Sequence, residues 1–147
     1  MKNNTIRNSI YQRTISNALE RIQHTDDIEE AFSDVLHDVL NYFNAGRVSI
    51  MASDHRNIDL QFCVFEAVAE GITSSMAGRE ECFPKHRWWY DKLEAGECVV
   101  VDDAVKKKGD DPTAAELLVS LGVRAHLGVP IIRYGKISGF LAIDILD

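Results

Sequence analysis

Cysteine is scarce in this chain and forms no pattern. Cys63, Cys82 and Cys98 are odd in number and include no Cys-x-x-Cys spacing, so neither a disulfide scaffold nor a structural zinc site organises the fold. Long apolar runs are also missing. No stretch approaches the about 18 residues that a membrane helix needs, and Met1-Lys2-Asn3-Asn4-Thr5 leads into no apolar signal region. Positive charge is in deficit: 16 Lys and Arg face 23 Asp and Glu, a net charge of −7. A phosphate-binding groove needs the opposite field, which argues against nucleic-acid partners. The one basic run, Lys106-Lys107-Lys108, is flanked by Asp102, Asp103, Asp110 and Asp111 and reads as a solvated loop. No Ser-His-Asp, His-Glu-x-x-His, Walker or Gly-x-Gly-x-x-Gly pattern is present. Neither catalysis nor a cofactor nor a metal is expected, and the expected location is cytoplasmic.

What is present suits one domain. The chain has 147 residues, 46 % of them hydrophobic, enough for a real core. Residues 9–23 read as a helix, with Tyr11, Ile15, Ala18, Leu19 and Ile22 on one stripe. Residues 1–25 are therefore expected to form a separate N-terminal helix for dimerisation or signalling, and residues 26–147 the domain proper. The clearest periodicity follows: Ile28, Ala31, Phe32, Val35, Leu36, Val39, Leu40 and Phe43 repeat at helical spacing. Asp26 with Glu29 reads as its capping box, and Gly46 as its left-handed stop.

Strands are expected over 47–52 and 58–67, a short helix over 84–95 stopped by Gly96, and a strand over 98–101. A second short helix starts at Asp111-Pro112 and ends at Leu121-Gly122. The chain closes with strands over 123–132 and 137–146 around Arg133-Tyr134-Gly135-Lys136, a hairpin turn with Gly where a positive φ is wanted.

Alternation gives these strands two unlike faces. Val123, Ala125, Leu127, Val129 and Ile131 share one face, and Arg124, His126, Gly128 and Pro130 the other. Likewise Ile137, Gly139, Leu141, Ile143 and Ile145 oppose Ser138, Phe140, Ala142 and Asp144, and Val48 with Ile50 opposes Ser49 with Met51. The long helix covers the apolar faces. The other face mixes apolar and ionisable groups, which suits either a partly enclosed pocket or an Arg124–Asp144 ion pair under a packed loop. As a metal ligand His126 would have only Asp144 beside it, too few groups for a site. In Phe83-Pro84-Lys85-His86-Arg87-Trp88-Trp89-Tyr90, aromatic and basic groups interleave as they would against a flat anionic ligand. Trp89 with Leu93 is expected to anchor that helix to the core. The candidate ligand-binding residues are Met51, Phe65, His86, Trp88, Arg124, His126, Phe140 and Asp144.

The stretch from Leu121 to Asp144, with Gly122-Val123-Arg124, Val129-Pro130, Gly135-Lys136 and Gly139-Phe140-Leu141, resembles the C-terminal hairpin of GAF domains, although Ala125 stands where Ser is common. Ala95-Gly96-Glu97-Cys98-Val99-Val100-Val101-Asp102 is similar to the family's Gly-Glu-Pro strand followed by Asp. The resemblance implies an α+β fold, GAF/PAS-like: a central antiparallel sheet of five or six strands, helices on one face, and a short-helix and loop roof over a pocket on the other. It implies a dimerising, small-molecule-sensing module of a larger bacterial signalling protein, such as a sensor histidine kinase. Family members usually run on into a helix after the last strand, so a longer parent protein is expected. The family's cyclic-nucleotide signature has no counterpart here. Bilin-attaching members often have His directly after the cysteine, whereas Cys82 is followed by Phe83, with His86 four residues on. Two alternatives remain open: a methionine-sulfoxide-reducing thiol enzyme using Cys82 and Cys98, or Cys63, and a ligand-free dimerisation domain.

Overall fold

Alternating side chains and one amphipathic helix settle the architecture. The computed structural model describes residues 12–13, 16–17, 19–20, 27–54, 57–74, 80–82, 87–107 and 112–147. In chain order the elements are α1 (Ile28–Phe43), β1 (Arg47–Asp54), β2 (Asn57–Val68), β3 (Glu80–Cys82), α2 (Arg87–Glu94), β4 (Val99–Val101), α3 (Ala104–Lys107), α4 (Pro112–Ser120), β5 (Val123–Arg133) and β6 (Lys136–Leu146). The strands form one sheet in the order β3-β2-β1-β6-β5-β4, antiparallel at every neighbouring pair. The expected N-terminal helix lies largely outside the described residues. Those of its residues that are described are helical, and Leu19 is exposed.

α1 forms because its apolar stripe matches the sheet, and it lies on β1 and β2. Leu36, Leu40, Val48, Ala67 and Ile143 are buried between them, with Phe32 stacked on Phe65 at 4.8 Å. Each fully buried Leu or Val there contributes about 1.5–3 kcal/mol. The cap is Asp27 rather than Asp26: its Oδ1 accepts from the amides of Glu29 and Glu30 at 3.0 and 3.1 Å. At the other end Asn44, with φ 49°, takes the left-handed position that Gly46 was expected to hold. Gly46 serves a different need, since a Cβ there would meet the Leu146 side chain at 2.7 Å. Asp27→Ala is expected to cost about 1 kcal/mol, seen as a lower urea midpoint at unchanged m-value.

The opposite sheet face is covered by α2 and α4. Trp89, Tyr90 and Leu93 of α2 and Ala114 and Leu118 of α4 pack with Met51, Cys63, Val99, Val123 and Phe140. We call this the roof face. The loop expected over 102–111 contains a further turn of helix, α3, whose first turn is capped by Asp103. β3, which pairs Cys82 with Leu60 at the edge, has no counterpart among the expected strands.

Three of the four register shifts in the sheet are single-residue bulges that correct the simple alternation. β1 pairs Ile50 with Phe65 and Met51 with Cys63, so Val64 is an extra residue in β2. β5 pairs Val123 with Leu146 and Ala125 with Ile145, so Arg124 is extra. In β6, Ser138 is extra between Ile137 and Gly139. Each bulge hands the following residue to the other face. Val123 and Ile137 accordingly join the roof cluster rather than the α1 cluster.

Candidate functional site

The register lays the roof face out in three rows. Arg47, Asp144 and His126 are direct neighbours across β1, β6 and β5. Two residues along, Ser49, Ala142 and Gly128 form a row of small residues. Two further, Met51, Phe140 and Pro130 form an apolar row. Same-face rows lie about 7 Å apart, so the small row is a trough between polar and apolar walls. Trp89 descends into it from α2, with its ring centroid 4.4 Å from that of His126 and 6.1 Å from that of Phe140.

The polar row is a buried relay. Asp144 Oδ2 accepts from Arg47 Nε and Nη2 at 2.9 and 2.8 Å, and Asp144 Oδ1 lies 2.7 Å from His126 Nδ1. Arg47 is 1 % exposed, Asp144 4 % and His126 5 %. Burial on its own pushes the Asp144 carboxyl up. Hydrogen bonding and charge from His126, then from Arg47, outweigh it and hold the group below its ordinary 3.8. The carboxylate therefore accepts on both oxygens, from Arg47 at Oδ2 and from the Nδ1–H of His126 at Oδ1. His126 Nε2, Trp89 Nε1 and Ser49 Oγ are buried with no hydrogen-bond partner among the described residues.

Met51, His126, Phe140 and Asp144 thus come together as the sequence predicts. Trp88 sits half-buried on α2 at the edge of the same cluster, with Lys92 Nζ 5.8 Å from its ring. Two predicted residues do not belong. Phe65 lies on the opposite face against Phe32, because the bulge at Val64 reverses it. Arg124 is an exposed bulge residue whose Nε is 4.0 Å from Asp147, not from Asp144. The predicted ion pair has the right aspartate and the wrong arginine. His86 lies outside the described residues. Arg47 was missed because a cation at the start of a strand reads as an exposed end, and Trp89 because it was assigned only to the core. One signal for Arg47 was available in sequence: pairing the first and last long strands antiparallel aligns its position with Asp144.

The cysteines do not converge. Cys82 is in β3 and Cys98 directly precedes β4, at opposite edges of the six-stranded sheet, about 24 Å apart at the usual strand spacing. A disulfide needs Cα atoms within about 7 Å. Cys63 is three residues along β2 from Leu60, the partner of Cys82, about 10 Å along the strand. Burial, then the charge of Glu66, pushes the Cys63 thiol up to about 11, against the pull of Arg47 and the bond to the Phe65 carbonyl. At neutral pH this thiol is protonated and unreactive. Iodoacetamide at pH 8 is expected to label exposed Cys98 rapidly and Cys63 only after unfolding, read by peptide mass spectrometry.

Among the described residues no group of three or more His, Cys, Asp or Glu is placed to hold a metal, and no helix is long and apolar enough to cross a membrane. A groove of about 210 Å³ opens at the β4–β5–β6 end of the sheet, between Phe43, Val100, Leu127 and Ile145.

Comparison with known proteins agrees with this architecture. No curated protein matches the sequence. The chain superposes on the chromophore-binding domain of Stigmatella aurantiaca bacteriophytochrome with a TM-score of 0.75 at 15 % identity, covering 95 % of this chain and 52 % of that one. The chain thus spans about half the length of that relative. It is similar to the phycocyanobilin-bound GAF domain of a cyanobacterial phytochrome, with a TM-score of 0.75, 16 % identity, and 96 % and 80 % of the two chains covered. For the PixJ GAF domain of Thermosynechococcus elongatus the TM-score is 0.65 and the identity 23 %, over 81 % and 69 %. The sequence profile of the GAF domain matches residues 27–144. With that match over most of its length, and with the sheet order and two-sided cover described above, the chain belongs to the GAF domain family.

Proposed function

We propose that this domain is the small-molecule-sensing, dimerising module of a larger bacterial signalling protein, a sensor histidine kinase being the favoured parent. The observation that carries the reading is the roof face. A buried Arg47–Asp144–His126 relay lies under a short helix, and two buried ring nitrogens, Trp89 Nε1 and His126 Nε2, have no partner among the described residues. Buried polar groups without partners are rare in stable domains, and a bound small molecule or an ordered water is one way to satisfy them. A ligand seated there would shift α2 against the sheet and so bias the packing of the elements at its ends.

Fold likeness at 15–23 % identity brings no ligand with it, so the chromophores of those relatives are not assigned here. The thiol-enzyme alternative needs a cysteine pair that the sheet order separates. A domain whose trough is permanently filled by Trp89 is the second reading, favoured by the burial of that side chain. A metabolite screen by thermal shift, repeated on His126→Ala, separates the two. A stabiliser lost in the variant supports sensing, and the absence of any stabiliser supports the filled domain. The dimer is assigned to the helix expected over 9–23, whose described residues are helical and expose Leu19. Light scattering on the chain with and without residues 1–25 tests it, and a strict monomer at high concentration would exclude it.

A further inference from the structure

We infer that the helix expected over residues 9–23 docks within its own chain, antiparallel to α1, on the half of the sheet that α1 leaves open. Tyr11, Ile15, Ala18 and Ile22 form the seam against the sheet, and Leu19 stays outside it. The inference concerns the face opposite the roof and does not depend on a small molecule binding at the roof.

Four observations carry it. The first is the open face. α1 lies on β1 and β2, and α2, α3 and α4 all belong to the roof cluster. Among the described residues, Phe43 and Val100 are therefore left 43 % and 57 % exposed beside the groove of about 210 Å³ that Leu127, Ile143 and Ile145 also line. The second is one flank of α1. Ala31 is 4 % exposed, yet it belongs to neither apolar cluster. It lies about 140° round the helix from Leu36, which faces the sheet. Val35 and Tyr42 on the same flank are partly buried, whereas Glu29, Ser33 and His37 on the other are exposed. The sheet does not supply that cover, and a neighbouring helix would. The third is how residues 9–23 divide by face. Gln12, Arg13, Ser16, Asn17 and Glu20 are exposed, as is Leu19. By helical spacing Tyr11, Ile15, Ala18 and Ile22 fall on the opposite arc. The fourth is reach and charge. The few residues between 23 and the cap Asp27 make a connection of the length that joins antiparallel neighbours. Residues 9–23 span about 22 Å as a helix and α1 about 24 Å, which brings Tyr11 towards the Phe43 end. Residues 1–25 carry Lys2, Arg7, Arg13 and Arg21 against Glu20 alone, while α1 carries Glu29, Glu30, Asp34 and Asp38 and no Lys or Arg. The two helices therefore attract.

The test uses the whole chain with 13C-labelled methyl groups. Nuclear Overhauser contacts are expected from Ile15, Ala18 and Ile22 to methyl groups of Val100, Leu127 and Ile145. In a mixture of labelled and unlabelled chains, an isotope-filtered spectrum should show none of these contacts between molecules. Ile15→Asp puts a charge into the seam and is expected to abolish the contacts and to lower the melting temperature by about 5 °C or more. Leu19→Asp, outside the seam, should keep every contact, whatever it does to association of two copies. Contacts seen only between labelled and unlabelled chains would overturn the inference in favour of a segment exchanged between two copies. The absence of any contact from residues 9–23 to the sheet in the native chain would overturn it outright, and so would native melting of Ile15→Asp.

Discussion

Asp144→Ala is expected to remove about 3–5 kcal/mol of folding stability, a large part of the about 5–15 kcal/mol available to a domain of this kind. The reason is the asymmetry of buried charge. Arg47 is 1 % exposed and sits where water does not reach it. Its Nε and Nη2 both donate to the Asp144 carboxylate, and that carboxylate also faces His126 Nδ1. Removing Asp144 takes two charge-assisted hydrogen bonds and the facing negative charge from a buried cation, and the acceptor from His126 Nδ1. Removing both charges is different. Arg47→Met combined with Asp144→Leu fills the same space with apolar groups and should recover most of the loss. Urea unfolding at pH 7 followed by circular dichroism reads all three forms. A loss under about 1 kcal/mol for Asp144→Ala would mean that the pair behaves as an exposed one.

The same group sets an acid limb. The Asp144 carboxyl is held below its ordinary 3.8 in the folded state, so the unfolded chain takes up this proton first as pH falls. The stability it contributes is intact above the ordinary value and is lost as pH drops through 3.8 towards the lower folded value. Asp144→Ala should have a shallower acid limb than the native chain. An unchanged limb in Asp144→Ala would place the acid sensitivity elsewhere.

Much of this arrangement was legible in the sequence, and the failures share a physical cause. The helix Ile28–Phe43 was readable because its period is strong over four turns. The closing hairpin was readable because Tyr134 and Gly135, at φ 52° and 74°, occupy the tight turn that its Gly announces. His126, Phe140 and Asp144 fell on one face because no bulge separates them from their own strand's count. Phe65 and Arg124 were misplaced because each adjoins or forms a bulge, and an extra residue in a strand leaves no periodic trace. Arg47 was illegible for another reason: a buried cation is identified by its partner 97 residues away, and pairing at that distance is a property of the sheet order, not of any local pattern.

The bulges also explain how a sheet of ordinary alternation acquires a polar row. The extra residue at Arg124 turns Val123 onto the roof face while keeping His126 there. The helix face stays wholly apolar, and the ionisable residues are gathered on the side where α2 can enclose them. The relay and the trough follow from strand register, and strand register depends on close backbone approach at one position.

That position is Gly139, and Gly139→Ala carries the second large expectation: a loss of at least about 3 kcal/mol, or failure to fold. A Cβ there would lie 2.1 Å from the Met51 carbonyl oxygen and 3.1 Å from the Ala52 Cα. Both are backbone atoms of the central strand β1, so no rotamer relieves the clash, and β6 must move away from β1. Residue 139 also has φ 158°, at the edge of the region that only glycine occupies without strain. The displaced strand carries Phe140, Ala142 and Asp144, so the damage should reach the relay as well as the pairing. Gly135→Asn is the matched control, since Asn tolerates the left-handed turn at φ 74° and nothing lies within 4 Å of the added Cβ. Thermal unfolding by circular dichroism should place Gly135→Asn near the native chain and Gly139→Ala far below it. If the Gly139→Ala chain instead unfolds at the native temperature, the β1–β6 contact is not as close as described, and the register that aligns Arg47 with Asp144 loses its anchor.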